Sequence, residues 1–241
     1  MQENLAVYKD TLAKYNIPLT NLCMYEKQHV IHHVDTSSLE LVKRLSRSRD
    51  PDIVKAFQLL IKLKYDHEEF PKALLVELKS LISFQGNGSC SSSKETEFLY
   101  DLNKLVINIA NEESGLRNLL TEKFEENYLR LLKSKSSAIV NQSLIVLNKF
   151  SESIRGTCAI LEALKQPDDL ISHFMDEDED VYLLTLKLIV SILGVPAGRV
   201  MFADFEKLKE IFEKEKNRSE TSRTYERLII WLLRFPSNDV F

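Results

Sequence analysis

The chain has 241 residues, 44% hydrophobic and 28% charged, enough apolar material to bury a substantial core and too much for a disordered segment. Its formal net charge is -4 with a pI near 5.8, which excludes a global basic excess of the kind that draws a protein to nucleic acid or an anionic bilayer. Three widely spaced cysteines, Cys23, Cys90 and Cys158, form neither a CxxC metal knuckle nor an even-numbered disulfide framework, and point to a reducing compartment.

The N-terminal stretch MQENLAVYKDTLAKY carries Glu3, Lys9 and Asp10 among its apolar residues, unlike a signal-peptide core. In HVIHH, His29, His32 and His33 stand at i, i+3 and i+4, a metal-binding spacing on a helix, but nothing nearby completes the ligand set, so packed or exposed histidines are expected. KRLSRSRD, at 43–50, sets four cations around Ser46 and Ser48 in a turn; phosphate added there would reverse the local charge. DPDIVKAFQLLIKL is the first of a series of very apolar helices, and GNGSCSSSK, at 86–94, reads as a flexible insert. TEFLYDLNKLVINI, SAIVNQSLIVLNKF, EDVYLLTLKLIVSI and SRTYERLIIWLLRF repeat the pattern. Each follows a short polar turn and another amphipathic stretch, such as LRNLLTEKFEENYLRLL or FEKLKEIFEKEK. The six Gly and six Pro fall between these segments and punctuate helices. The acidic run Asp176–Asp180 invites comparison with a calcium loop, which needs Gly at its sixth position and Glu at its twelfth; here those are Val181 and Lys187. It reads instead as a turn whose last acids cap the next helix. No uncharged apolar run reaches the roughly 20 residues of a spanning helix, and the expected location is cytoplasmic or nuclear.

With Lys55, Asp101, Gln142, Leu184 and Arg227 taken as equivalent, the units are spaced by 46, 41, 42 and 43 residues, the longest interval holding the insert. Gly115, Gly156 and Gly198 give the same period independently, standing 41 and 42 apart. A helical period near 42 resembles armadillo and HEAT repeats, over roughly residues 37–236. The stretch GTCAILEALKQPDDLISHFMDEDEDVYLLTLKLIVSILG is most similar to an armadillo unit: a short helix after Gly156, a second ending near Met175, a polar turn and a buried third. The resemblance implies an all-α fold, a right-handed α-solenoid of about five armadillo/HEAT-like repeats. An N-terminal helical cap or partial repeat is expected over 1–36 and the repeat array over 37–241.

In such an array the third helix of each repeat shows only a narrow stripe to a concave groove. Spacing i, i+3, i+7 collects Lys55, Gln58, Lys62; Asp101, Lys104, Asn108; Gln142, Ile145, Lys149; Leu184, Lys187, Ser191; and Arg227, Ile230, Arg234. Seven are cationic and one acidic, so the groove reads as basic. Peptide-binding armadillo proteins hold an extended backbone with an Asn ladder at the end of this helix. Here those slots hold Lys62, Asn108, Lys149, Ser191 and Arg234, of which only Asn108 fits, and Trp231 adjoins the line rather than occupying it. The expected partner-binding residues are Lys62, Lys104, Asn108, Lys149, Lys187, Ser191, Arg227 and Arg234. The expected partner is an acidic or amphipathic peptide or helix of another protein, held on apolar anchors such as Ile145, Leu184 and Ile230 and steered by the cations. A nucleic-acid-binding HEAT-like scaffold is the alternative; the acidic pI and the lack of aromatics between the cations argue against it. No GxSxG, Walker loop, HExxH or dinucleotide fingerprint occurs, so no enzyme, cofactor or metal is expected. Nothing in the pattern sets an oligomeric state.

Overall fold

A computed structural model describes residues 72–85, 93–214 and 218–234. Lys55, Gln58, Lys62, the three N-terminal histidines, Ser46, Ser48, the 1–36 boundary and most of the 86–94 insert lie outside the described residues. The described residues form α-helices and one 3-10 turn, with no strand among them. In chain order these are α1 (Lys72–Gln85), α2 (Ser93–Ala110), α3 (Glu113–Thr121), α4 (Phe124–Leu131), α5 (Ser137–Ser151), α6 (Ile154–Ala163), α7 (Asp168–Ile171), the 3-10 turn Ser172–Met175, α8 (Glu179–Leu193), α9 (Pro196–Met201), α10 (Phe205–Lys214) and α11 (Glu220–Arg234). Two compact units divide them, with α1, α2 from Glu97 onward and α3 in one, and α4 to α11 in the other.

In the first unit, Leu75, Leu78 and Ile82 of α1, Leu102, Val106 and Ile109 of α2 and Leu119 of α3 are buried. The Lys79 ammonium donates to the carbonyl oxygen of Glu122, the C-cap residue of α3. The long amphipathic stretch LRNLLTEKFEENYLRLL is broken between α3 and α4, where Lys123 adopts a left-handed φ of 57°. No Gly or Pro marks that break.

The second unit is built on third helices laid side by side, α8 packing against α5 on one side and α11 on the other. Both α5 and α8 are apolar around most of their circumference. Leu144, Val146, Leu147 and Phe150 of the first and Tyr182, Leu186, Leu188, Ile189 and Ile192 of the second are fully buried. At equivalent places, 42 residues apart, the two helices bury the hydroxyls of Ser143 and Thr185, each donating to the carbonyl four residues back at 2.8 Å. A buried polar group is thereby satisfied within its own helix. Aromatic contacts fill the space between layers, with Tyr128 edge-on to Phe150 at 6.1 Å and Phe174 between Tyr182 at 5.5 Å and Phe212 at 5.3 Å.

Gly115, Gly156 and Gly198 do not fall between helices; each is the third residue of its helix, α3, α6 or α9. A Cβ at Gly156 or Gly198 would lie 2.0 Å from the carbonyl oxygen of Phe150 or Ile192, in the last turn of the preceding third helix. The period of 42 therefore records where one repeat's backbone meets the next too closely for any side chain.

Candidate protein-binding surface

The third helices begin at equivalent caps. Asp178 accepts hydrogen bonds from Asp180 N and Val181 N, and the Ser219 hydroxyl accepts one from Ser222 N at 3.1 Å. Ser136 stands at the same position before α5, although its side chain makes no cap hydrogen bond. Counted from these caps the offsets are 42 from α5 to α8 and 41 from α8 to α11. Burial follows that register: Ile139, Ser143 and Val146 on α5, Val181, Thr185 and Leu188 on α8, and Ser222, Glu226 and Ile229 on α11 are all buried.

This register places the sequence-derived line as follows. Gln142, Ile145 and Lys149 on α5 and Leu184, Lys187 and Ser191 on α8 are equivalent and half-buried, the exposure of residues at a helix edge. On α11 the equivalents are Tyr225, Leu228 and Leu232. Arg227, Ile230 and Arg234 instead match Leu186, Ile189 and Leu193, all fully buried on α8. The offset of 43 read from the sequence aligned polar residues, whereas the helix is seated by its cap and its buried face, two residues away. Lys104 and Asn108 are exposed on α2 of the other unit, and the Lys104 ammonium lies 4.1 Å from the centroid of the Tyr100 ring.

The cations of the line have neighbours that composition did not reveal. Lys149 is 23% exposed and bound to Glu152 at 2.5 Å, and the Lys187 ammonium stands 5.9 Å from the Tyr225 ring centroid across α8 and α11. Arg227 is paired with Glu220 at 3.4 Å. The Ser191 hydroxyl turns back to the Lys187 carbonyl at 3.3 Å. Asn148, beside Lys149, donates from its side chain to the carbonyls of Leu144 at 2.8 Å and Leu184 at 2.9 Å. It clamps α5 to α8, a role that residue spacing within α5 does not signal.

The acidic run is both a cap and a joint. Besides capping α8, Asp178 accepts from the Ser137 hydroxyl at 3.1 Å, tying it to the start of α5. Glu179 accepts from Ser222 Oγ at 2.6 Å and Ser219 N at 3.2 Å, and Arg218 donates to the Asp176 carbonyl at 2.8 Å, tying it to the start of α11. Burial pushes the Glu179 carboxyl up, but the hydrogen bonds from Ser222 and Ser219 and the Arg218 charge outweigh it and hold its pKa below the ordinary value. A cavity of about 500 Å3 opens elsewhere, lined by residues of α4 and the α6–α7 connection, among them Glu126, Arg130, Lys133, Glu162, Lys165 and Asp169. Both signs are present in equal number, and Lys133 is bound to Asp169 at 3.0 Å, so it selects no ligand charge.

No family model matches the chain, and no curated protein sequence matches it significantly. Solved structures do. A designed armadillo repeat protein in complex with the peptide (KR)4 superposes with a TM-score of 0.57 at 14% identity, covering 82% of this chain and 80% of its own. The fold is that of armadillo repeats. An engineered protein solved by the Northeast Structural Genomics Consortium is also similar, with a TM-score of 0.52 at 14% identity over 85% of this chain and 94% of that one. The armadillo pattern places the first helices at α3, α6 and α9, each opened by its glycine, and the third helices at α5, α8 and α11. At such low identity the similarity concerns backbone architecture alone. No described helix is long and apolar enough to cross a membrane.

Proposed function

We propose that the chain is a non-catalytic cytoplasmic or nuclear scaffold that binds an acidic or amphipathic segment of another protein along its third helices. The observation that carries this reading is the placement of Lys149 and Lys187 on neighbouring third helices, with Ile145 and Leu184 half-buried beside them. Apolar side chains of a ligand would seat on Ile145 and Leu184, while its carboxylates meet the two ammonium groups. Ser191 extends the same proposal one turn along α8, and Lys62, Lys104 and Asn108 extend it to the other repeats. The designed neighbour holds a basic peptide. Here Lys149 and Ser191 stand in two of the slots that an Asn ladder would use, which favours the opposite ligand charge.

The test is a titration of labelled octapeptides, (KR)4 against an alternating Asp/Glu sequence. The acidic peptide should bind and (KR)4 should not; preference for (KR)4 overturns the reading. Lys149→Glu with Lys187→Glu should weaken acidic-peptide binding by roughly ten- to a hundredfold, about 1.5–3 kcal/mol, since reversal adds repulsion to the lost attraction. Lys149 is bound to Glu152, so thermal unfolding of the same variant must show that it remains folded. Lys135 and Lys165, both exposed, supply the control reversal, because Lys133 is occupied by Asp169. Equal loss in the control sinks the assignment, and so would tight binding of a random DNA duplex with a steep salt slope.

A further inference from the structure

We infer that, within the proposed groove and resting on it, the step between α8 and α11 sets the ligand: Lys187 and Tyr225 together take one carboxylate, an aspartate or glutamate side chain, and Leu184 and Leu228 seat apolar residues beside it. In the register fixed by the caps, α5, α8 and α11 present Gln142, Leu184 and Tyr225 in one row and Ile145, Lys187 and Leu228 in the next. Lys149, Ser191 and Leu232 form the third. Of these positions only Lys149 and Lys187 carry charge.

The two cations differ. Lys149 is bound to Glu152 at 2.5 Å, so a ligand carboxylate arriving there competes with one the chain already supplies. Lys187 makes no ion pair and its ammonium no hydrogen bond among the described residues; the Tyr225 ring stands against it, with its centroid 5.9 Å away. The Tyr225 hydroxyl likewise has no hydrogen-bond partner among the described residues. Both side chains are half-buried, so each has given up hydration without gaining a polar partner. A ring face attracts an ammonium less strongly than a carboxylate does and leaves its three N–H donors unused. A carboxylate set between the two accepts from Lys187 Nζ on one oxygen and from the Tyr225 hydroxyl on the other, and the flexible lysine stem lets the ammonium follow it without moving α8. One ammonium and one neutral phenol match a single negative charge. A phosphate monoester brings nearly two, and this step holds no second cation in its rows. Beside the carboxylate the surface turns apolar, because α11 contributes only Tyr225, Leu228 and Leu232 to the rows and Leu228 is 37% exposed. A polyacid without apolar residues leaves that half of the step uncovered.

The probes are labelled, end-capped octapeptides with Leu-Glu-Leu at the centre and Gly and Ser elsewhere, with twins carrying Gln or phosphoserine in place of Glu, titrated beside the alternating Asp/Glu octapeptide. The Glu peptide should bind about tenfold more tightly than the Gln twin, and the phosphoserine twin no more tightly than the Glu peptide. Lys187→Met, which keeps an unbranched apolar stem, should erase the preference for Glu over Gln, and Lys187→Arg, which restores the charge, should retain most of it. Tyr225→Phe keeps the ring and removes the hydroxyl. It should reduce the preference while leaving the affinity of the Gln twin unchanged, a separation that a purely structural role would not produce. Lys149→Met should alter the preference by less than about twofold, and Leu228→Ser should weaken the Glu and Gln peptides alike. An unchanged preference in Tyr225→Phe, a preference lost as fully in Lys149→Met as in Lys187→Met, or tighter binding of the phosphoserine twin overturns the inference and leaves the groove reading in place. So does binding of the Asp/Glu octapeptide without binding of the Leu-Glu-Leu peptide at millimolar concentration. If neither peptide binds, the groove reading falls and the inference falls with it.

Discussion

At the scale of single residues, side-chain hydrogen bonds and close backbone approaches at glycine both help to hold neighbouring repeats in register. Tyr182 is fully buried and its hydroxyl donates to Glu226, itself 9% exposed, at 2.6 Å. Tyr182→Phe removes the donor and leaves a buried carboxylate short of a partner, which should cost about 1–3 kcal/mol in urea denaturation. Replacing Glu226 by Leu in the same background should recover part of that loss, and a cycle with no coupling would show that the two groups do not interact. The glycines act through backbone proximity. Gly156→Ala and Gly198→Ala each force a methyl to within 2.0 Å of a carbonyl oxygen and should destabilise by roughly 1–3 kcal/mol, measured the same way. Gly194 is the contrast, a C-cap with right-handed φ of -61° whose added Cβ would meet nothing closer than 3.0 Å. Gly194→Ala should change stability by less than about 1 kcal/mol, in either direction.

At the scale of elements, the turn between the 3-10 segment and α8 sets the geometry of three third helices at once. Asp178→Ala removes the cap of α8 and the bond to Ser137, an expected loss of about 0.5–2 kcal/mol. Acid should loosen the same joint in two windows. Burial lowers the pKa of His173 from 6.5, against the pull of Asp176 and Asp169, so below pH 6.5 the unfolded chain takes up a proton that the folded one refuses. Stability therefore falls as pH drops from 6.5 toward the folded value. Glu179, whose folded pKa is depressed, contributes stability that is present above its ordinary value of 4.5 and is lost as pH falls through the folded one. Urea midpoints measured across pH 4–7 should decline with acid, and His173→Gln should flatten the upper part of the curve. A decline unchanged by His173→Gln would show that other groups carry it.

At the scale of the whole molecule, repeat stacking means that each unit is stabilised by its nearest neighbours. Weakening the α8–α11 joint with Tyr182→Phe should raise hydrogen exchange in α9 to α11 well before it does so in α5. Uniform loss of protection would mean that the described repeats of this unit unfold as one block. Far-ultraviolet circular dichroism should be dominated by helix; appreciable strand signal would be incompatible with a fold whose described residues contain none.

Helix content, the period of 42 and the identity of the third helices were legible in the sequence alone, because apolar periodicity, caps and glycine spacing are local properties of the chain. SAIVNQSLIVLNKF and EDVYLLTLKLIVSI show their burial on almost every side without reference to anything else. The acidic run was equally legible as a cap, since the calcium pattern fails at Val181 and Lys187. Only the tertiary structure decided which side of α11 is buried. Sliding that helix by two residues rotates it about 200°, and the sequence permits either choice when polar residues are used as the guide. The contact that settles it, Tyr182 with Glu226, spans 44 residues, as the Asn148 clamp on Leu184 spans 36. The break at Lys123 was hidden for a related reason, because no turn-forming residue marks its left-handed backbone. Local chemistry thus determines the helices and their repetition, while the faces they present are determined by contacts between residues far apart in the chain.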